Sequence, residues 1–310
     1  MALSWACTCT VCGMPHSQTV VANKGEKKME KVLVAGATGY LGQHLVKELK
    51  KRNYWIRVLI RKESQKELFE EVDDFYIGEV TQPDTLINIC ENIDWVFSSI
   101  GITRQKDGMT YMDVDYHGNS NLLNEAKESG VKSFLYVSAL GGENLRQLKI
   151  FEAKEKFVDN LKSSGIDYTI MRPNGFFSDM KDFLSMAKNG TVYLFGTGSF
   201  KLNPIDGADL AEVCVDKISS DEKEVNIGGP DLLTQNELAE LALQAWKKKI
   251  KIIHLPDWIR KFTIWIMRTF TSSRTYGPVE FFMTAMALDN IAPQYGKHKL
   301  EDFFIKEVQK

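Results

Sequence analysis

Gly36, Gly39 and Gly42 fall in the pattern G-x-x-G-x-x-G, and they sit at a change of periodicity. Before them runs the apolar stretch Lys31-Val32-Leu33-Val34-Ala35. After them Leu41, Leu45, Val46 and Leu49 recur at helical spacing, with Lys47, Glu48 and Lys50 on the other side. Strand, tight turn and helix is the context in which such glycines bind a pyrophosphate. A turn without Cβ atoms lets phosphate oxygens lie against backbone N–H groups, and the helix N-terminus adds partial positive charge. The third glycine allows the helix to pack closely on the strand. The dinucleotide contacts expected from this turn are Gly36, Ala37, Thr38, Gly39, Tyr40, Leu41 and Gly42.

The next strand, 55–61, ends on Arg61 and Lys62, with no acid until Glu63. A site that prefers NAD places a carboxylate on the ribose 2′-OH about 20 residues beyond the glycines. A guanidinium at that place matches a 2′-phosphate in charge and in forked geometry. The expected cofactor is therefore NADP(H) rather than NAD(H), with Arg61 and Lys62 at its 2′-phosphate.

These residues need a frame, and strands alternate with helices along the chain. Further strands are expected at Asp74–Ile77, 95–100, 133–138 and 168–173. Helices are expected from Pro83, over 113–129 and over 148–163. This alternation predicts an α/β fold: a doubly wound parallel Rossmann sheet with right-handed crossovers. A smaller, mostly helical C-terminal substrate part should follow. The expected division is a leader at 1–28, a nucleotide-binding domain at 29–175 and a substrate part at 176–310, with a strand or two returning to the sheet. Ligands of such sheets bind at the carboxyl ends of the strands. That rule adds Glu79, Val80, Ser98, Ser99, Ile100, Gly101, Ser138, Arg172, Pro173, Asn174 and Phe176 to the candidate site.

The chain has 310 residues and a formal net charge of −2, so it offers no general attraction to nucleic acid. Its hydrophobic content of 44% is that of a soluble globular protein. Residues 1–28 lack periodicity and hold Cys7, Cys9 and Cys12. With His16 these could ligate a metal, but the spacing is unlike paired zinc ligands and no metal site is expected. The segment reads as a disordered leader, as sequence upstream of a start at Met29, or as a targeting peptide, which it resembles in its few acids but not in its lack of Arg. Cys90 and Cys214 lie in amphipathic patterns and read as reduced core residues, which implies a reducing compartment. The expected location is cytoplasmic, or a plastid stroma or membrane periphery if the leader is a targeting peptide.

On these residues the chain resembles the atypical, extended, NmrA-like short-chain dehydrogenase/reductases over about residues 30–306. Beyond the glycine turn, Ser138 stands where the family's catalytic serine ends the fifth strand. Lys154 stands where its catalytic lysine sits, and Arg172-Pro173-Asn174-Gly175-Phe176-Phe177 matches its Arg-Pro segment. Asn203-Pro204-Ile205-Asp206-Gly207-Ala208-Asp209 resembles a later helix start of the family. Glu224-Val225-Asn226-Ile227-Gly228-Gly229-Pro230 and the ending from Pro293 to Phe304 are similar to the divinyl chlorophyllide 8-vinyl-reductase group. The resemblance implies that Lys154 holds the nicotinamide ribose and that Ser138 binds a substrate oxygen or the nicotinamide. The family's proton-donating tyrosine belongs four residues before the lysine, and Ile150 is there instead. Carbonyl–alcohol interconversion is thus not expected, whereas reduction of a C=C bond remains. Tyr111 or Tyr116 could replace the missing donor, and Arg104 and Lys106 could meet a substrate carboxylate. The alternative is a non-catalytic NAD(P)-binding redox sensor or assembly factor.

The remaining chemistry lies in the C-terminal part. Val192–Phe195 and 250–254 read as strands, and helices start at Asp206 and Thr234, the latter with a capping box Thr234-Gln235-Asn236-Glu237. Trp258, Ile259, Phe262, Trp265, Ile266 and Phe270 form an aromatic stripe, with Arg260, Lys261, Arg268 and Arg274 nearby. Such a helix suits a core, a lid over a bulky apolar unsaturated substrate, or peripheral membrane contact through 257–274. The pattern leaves the oligomeric state open, and a monomer is consistent with it.

Overall fold

The computed structural model describes Met1 and residues 29–102, 108–218 and 220–310. The cysteine-containing leader, Arg104 and Lys106 lie outside the described residues. Strands β1 (Lys31–Ala35), β2 (Trp55–Ile60), β3 (Asp74–Ile77), β4 (Trp95–Ser98), β5 (Ser133–Val137), β6 (Asp167–Pro173) and β9 (Glu224–Ile227) form one sheet in the order β3-β2-β1-β4-β5-β6-β9. Every neighbouring pair is parallel. The order reverses between β1 and β4, which leaves a crevice at the carboxyl ends of those strands. Strand β5 is buried along its whole length, and β1 and β6 along most of theirs, so the sheet is covered on both faces.

Each covering layer has its own apolar stripe. Helices α1 (Tyr40–Lys51) and α5 (Gly207–Asp216) cover one face through Leu41, Leu45, Leu49, Leu210 and Ala211. Helices α2 (Asn119–Glu128) and α3 (Lys149–Lys162) cover the other through Leu122, Leu123, Phe157, Val158 and Leu161. A separate core joins α4 (Lys181–Lys188), β7 (Val192–Phe195), α6 (Gln235–Ala245) and α9 (Leu300–Gln309). Around it lie the small pairs β8 (Lys201–Leu202) with β10 (Leu233–Thr234), and β11 (Ile252–Leu255) with β7. Thr234 caps α6 reciprocally with Glu237, as the sequence pattern requires. Helices α7 (Asp257–Phe270) and α8 (Ser273–Ala285) complete the molecule, α8 lying between α7 and α3.

Two expected helices differ. The helix from Pro83 is a single 3-10 turn, Pro83–Thr85, closed by Thr85 Oγ1 donating to the Gln82 and Glu79 carbonyls. The helix expected over 113–129 starts as a π-helical stretch, Met112–Gly118, before α2 begins. Asn119 explains the change. Its amide donates to the Asp115 carbonyl (2.9 Å) and to the Ile100 carbonyl (3.3 Å), and it accepts from Ser98 Oγ. A side chain inserted into the helical ladder widens it.

Candidate cofactor site

The glycine turn is built by contact. Gly36 has φ +82°, and a Cβ there would lie 2.8 Å from Ser99 Oγ. A Cβ on Gly42 would lie 2.1 Å from the Gly36 carbonyl oxygen and 2.6 Å from Ala37 Cα, so only glycine lets α1 start against the turn. At Gly39, the N-cap, a Cβ would meet nothing closer than 3.2 Å, which leaves the helix end open. No side chain caps that end and no acid occupies its first turn. Its N–H groups therefore face the crevice with the dipole's positive end, the arrangement that favours a bound phosphate.

A cleft of about 330 Å³ runs from this turn along the sheet edge. Its walls include Gly36, Thr38, Gly39, Arg61, Glu79, Val80, Ser99, Ile100 and Gly101. Nine of the residues expected from sequence thus meet in one place. Arg61 and Glu79 face each other across one end, with Nη1 and Oε2 3.9 Å apart. Thr81, which sequence reasoning passed over, also lines the cleft, and its buried hydroxyl has no partner. Ile102, Met109 and Val114 add an apolar part to its lining. The unoccupied donor at Thr81, the open helix end and the Arg61 guanidinium together fit a dinucleotide.

Lys154 reaches this cleft from behind. Its ammonium lies 2.8 Å from Asp115 Oδ1, and a Cβ on Gly101 would come within 2.7 Å of it. Gly101 is thus the thin point between Lys154 and the cleft. Asp115 is fully buried, and its other oxygen accepts from the Ile102 N–H. Burial pulls the Lys154 pKa down, but the carboxylate of Asp115 and the Tyr136 side chain more than offset it, so the group is held firmly as a cation. Sequence reasoning missed Asp115. The π-helical stretch that turns it inward has no sequence signature beyond Asn119.

Ser138 and Arg172 do not line the cleft, contrary to the expectation. Ser138 Oγ donates to Glu155 Oε1 at 3.0 Å. Arg172 grips the same carboxylate in a fork, with bonds of 2.6 and 2.9 Å, and also meets Glu224 and Glu143. Glu155 is fully buried and follows Lys154 directly, so one helix turn carries the cleft's cation and this second ion cluster. Asn174 is likewise committed, to Asn203, the Asn290 carbonyl and the Gly175 N–H. Pro173 ends β6, and Phe176 packs on Tyr40. The Tyr40 hydroxyl accepts from the Gly207 N–H, and Ala37 and Leu41 are core residues, so these three can offer only backbone to a ligand. Lys62 lies beside Arg61 outside the cleft lining.

The later segments that carried the family and subgroup resemblances prove to be clamps. Asp206 caps α5 through the Ala208 N–H, and Asp209 accepts from the N–H groups of Lys297 and His298. Gly228 and Gly229 fit where Cβ atoms would strike Asn203 and the Pro204 carbonyl. Ile150, in the tyrosine's place, belongs to an apolar cluster with Tyr111, Leu148, Phe151 and Ala153, against which Ile102, Leu145 and Phe281 of α8 pack. Tyr111 is buried there, and Tyr116 packs against His117 and the Lys156 ammonium. Neither tyrosine lines the cleft.

This sheet order, glycine turn and helical C-terminal part define a Rossmann fold with a dinucleotide-type turn. The chain belongs to the NAD(P)H-binding family, whose model matches residues 36–221. It is 28% identical to a protein of Arabidopsis thaliana named divinyl chlorophyllide a 8-vinyl-reductase, chloroplastic, covering 93% of this chain and 78% of that one. It is 25% identical to the photosystem II assembly factor Ycf39 of Synechocystis sp., covering 87% and 86%. Among solved structures, an NADPH-dependent quinone oxidoreductase of Escherichia coli, in complex with NADPH, superimposes with a TM-score of 0.70 at 17% identity, over 90% of this chain and all of that one. That likeness is one of fold.

Proposed function

We propose that this protein is an NADP(H)-dependent reductase that saturates a C=C bond of a bulky, flat, apolar substrate. The observation that carries this reading is the pairing of a dinucleotide cleft backed by Lys154 with an apolar cluster around Ile150, where a carbonyl reductase needs a phenol. Bound NADPH would supply the hydride. The α1 N-terminus would hold its pyrophosphate, Arg61 its 2′-phosphate and Thr81 a polar edge of the adenosine. Lys154, fixed by Asp115, would hold the nicotinamide ribose hydroxyls. Ile102, Met109 and Val114 would give the cleft an apolar wall that excludes water from the bound cofactor. The likeness to the Arabidopsis 8-vinyl-reductase supports a vinyl group on a chlorophyllide-like macrocycle as the substrate class, and a plastid location with it. The test is NADPH consumption with a panel of conjugated alkenes beside secondary alcohols and ketones. Turnover confined to alkenes supports the reading, and turnover of alcohols overturns it.

A second reading has its own observation. Ser138 and Arg172 are both consumed by Glu155, so the family's serine is not free to serve a substrate. A protein that binds the dinucleotide for structure or signalling, as an assembly factor, fits that arrangement. It predicts tight NADPH binding with no turnover on any alkene.

A further inference from the structure

Helix α7 is fourteen residues long and none of them is buried. Trp258, Phe262 and Trp265 are 64%, 50% and 57% exposed, and Phe270 at its end is 74% exposed. The first three follow the i, i+4, i+7 spacing of one helix face. They touch each other, with ring centroids 6.4 Å apart for Trp258–Phe262 and 5.9 Å, stacked, for Phe262–Trp265. An exposed ridge of three large aromatic side chains is costly in water and marks an interaction site. On the opposite face α7 packs against α8, where Arg260 reaches the Met283 carbonyl and Arg268 pairs with Glu280.

The charge around the ridge says what covers it. Helices α7 and α8 hold four bases, Arg260, Lys261, Arg268 and Arg274, against two acids, Asp257 and Glu280. The whole chain has a net charge of −2, so this excess of cations is local. Lys261 lies on one flank of the ridge with its ammonium exposed beside the accessible Asp257, whereas Arg268 reaches back to Glu280 of α8. Tryptophan and phenylalanine on one face with cations beside them match the two layers of a bilayer surface. The rings lie at the acyl boundary and the cations at anionic headgroups. A protein partner would need a complementary acidic groove, whereas this convex ridge suits a soft, anionic plane. Among the described residues no helix is long and apolar enough to cross a membrane, so the contact would be peripheral.

We infer that helix α7 docks this protein onto an anionic lipid bilayer through Trp258, Phe262 and Trp265. Helix α8 lies directly behind the docked helix, and its Phe281 stacks edge-on against Phe151 at 5.5 Å in the cluster around Ile150. If the proposed reductase reading holds, the wall of the substrate region is thus one helix away from the lipid. The docking itself is independent of that reading.

The test is co-flotation of the full chain, without substrate, with vesicles of phosphatidylcholine alone and of an equal phosphatidylcholine–phosphatidylglycerol mixture. Binding should be confined largely to the anionic vesicles and should weaken with added salt. The variant Trp258→Ser/Phe262→Ser/Trp265→Ser should lose at least about tenfold in partitioning, and Lys261→Glu should reduce it more weakly. A readout on the unmodified chain guards against misfolded variants: brominated phosphatidylcholine in the anionic vesicles should quench part of its tryptophan fluorescence. Absence of both flotation and quenching would overturn the inference. So would a lipid-free, concentration-dependent dimer in sedimentation that the triple variant disperses, since the ridge would then be covered by a second copy. Loss of alkene reduction with vesicle binding intact would strike the proposed function alone.

Discussion

Lys154 and Asp115 are the pair on which the cleft's chemistry turns, and each is buried enough to need the other. Lys154→Ala leaves the Asp115 carboxylate buried without its cation. Loss of one partner of a buried pair typically costs about 3–5 kcal/mol, so this variant should unfold at markedly lower urea while also binding NADPH more weakly. The double variant Lys154→Met/Asp115→Leu should regain much of the stability but not the binding, which separates the two roles in one urea series. At the other end of the cleft, Arg61 should give NADPH at least about a tenfold advantage over NADH through a charge-assisted contact. Arg61→Ala should erase that preference, and isothermal titration of both cofactors checks it. Arg61, which lines the cleft, was pointed to by its place at a strand end, and Lys154, which lies behind Gly101, by the family resemblance alone. Ser138 and Arg172 were misjudged because sequence shows where a side chain starts and not what it is bonded to. Glu155, which claims both, is one more acid on a charged helix until its burial is seen.

The helices and strands carry a different lesson. The sheet and its order were readable because apolar runs alternate with amphipathic ones, and burial on both faces permits few other arrangements. The π-helical stretch was not readable, since Asn119 widens the helix through bonds to Asp115 and Ile100 that no local pattern encodes. Helix α1 is fixed in place by its first turn. Gly42→Ala would press a methyl group onto the Gly36 carbonyl, and overpacking of this kind costs about 1–3 kcal/mol. The shift of the helix end should also abolish dinucleotide binding, as equilibrium dialysis with NADPH would show. Gly39→Ala, which meets only one atom at 3.2 Å, should keep the fold and lose affinity, because its methyl group would intrude where the proposed pyrophosphate has to lie.

Across the whole molecule, carboxylates tie distant segments together and set its response to acid. Burial alone would raise the Glu224 pKa, but Lys162 and Arg172 outweigh it and hold it below the usual range. Hydrogen bonding to Arg146 lowers Asp159, and bonding to Lys181 and Lys310 lowers Glu307. A carboxylate with a depressed folded pKa contributes its full stability above the unfolded value and loses it as pH falls through the folded one. The melting temperature should therefore hold from neutral pH to about pH 5 and fall steadily below it, and Glu224→Gln should flatten part of that fall. The central claim concerns what the assembled molecule does. It is tested most directly by incubating the protein with NADPH deuterated at the transferable C4 position and a divinyl chlorophyllide, and weighing the product. The account predicts a product with two added hydrogens, one of them deuterium from the cofactor and the other a proton drawn from solvent, so that running the reaction in D₂O places a second deuterium on carbon. A protein that binds NADPH tightly yet returns the alkene unlabelled and unreduced would contradict it.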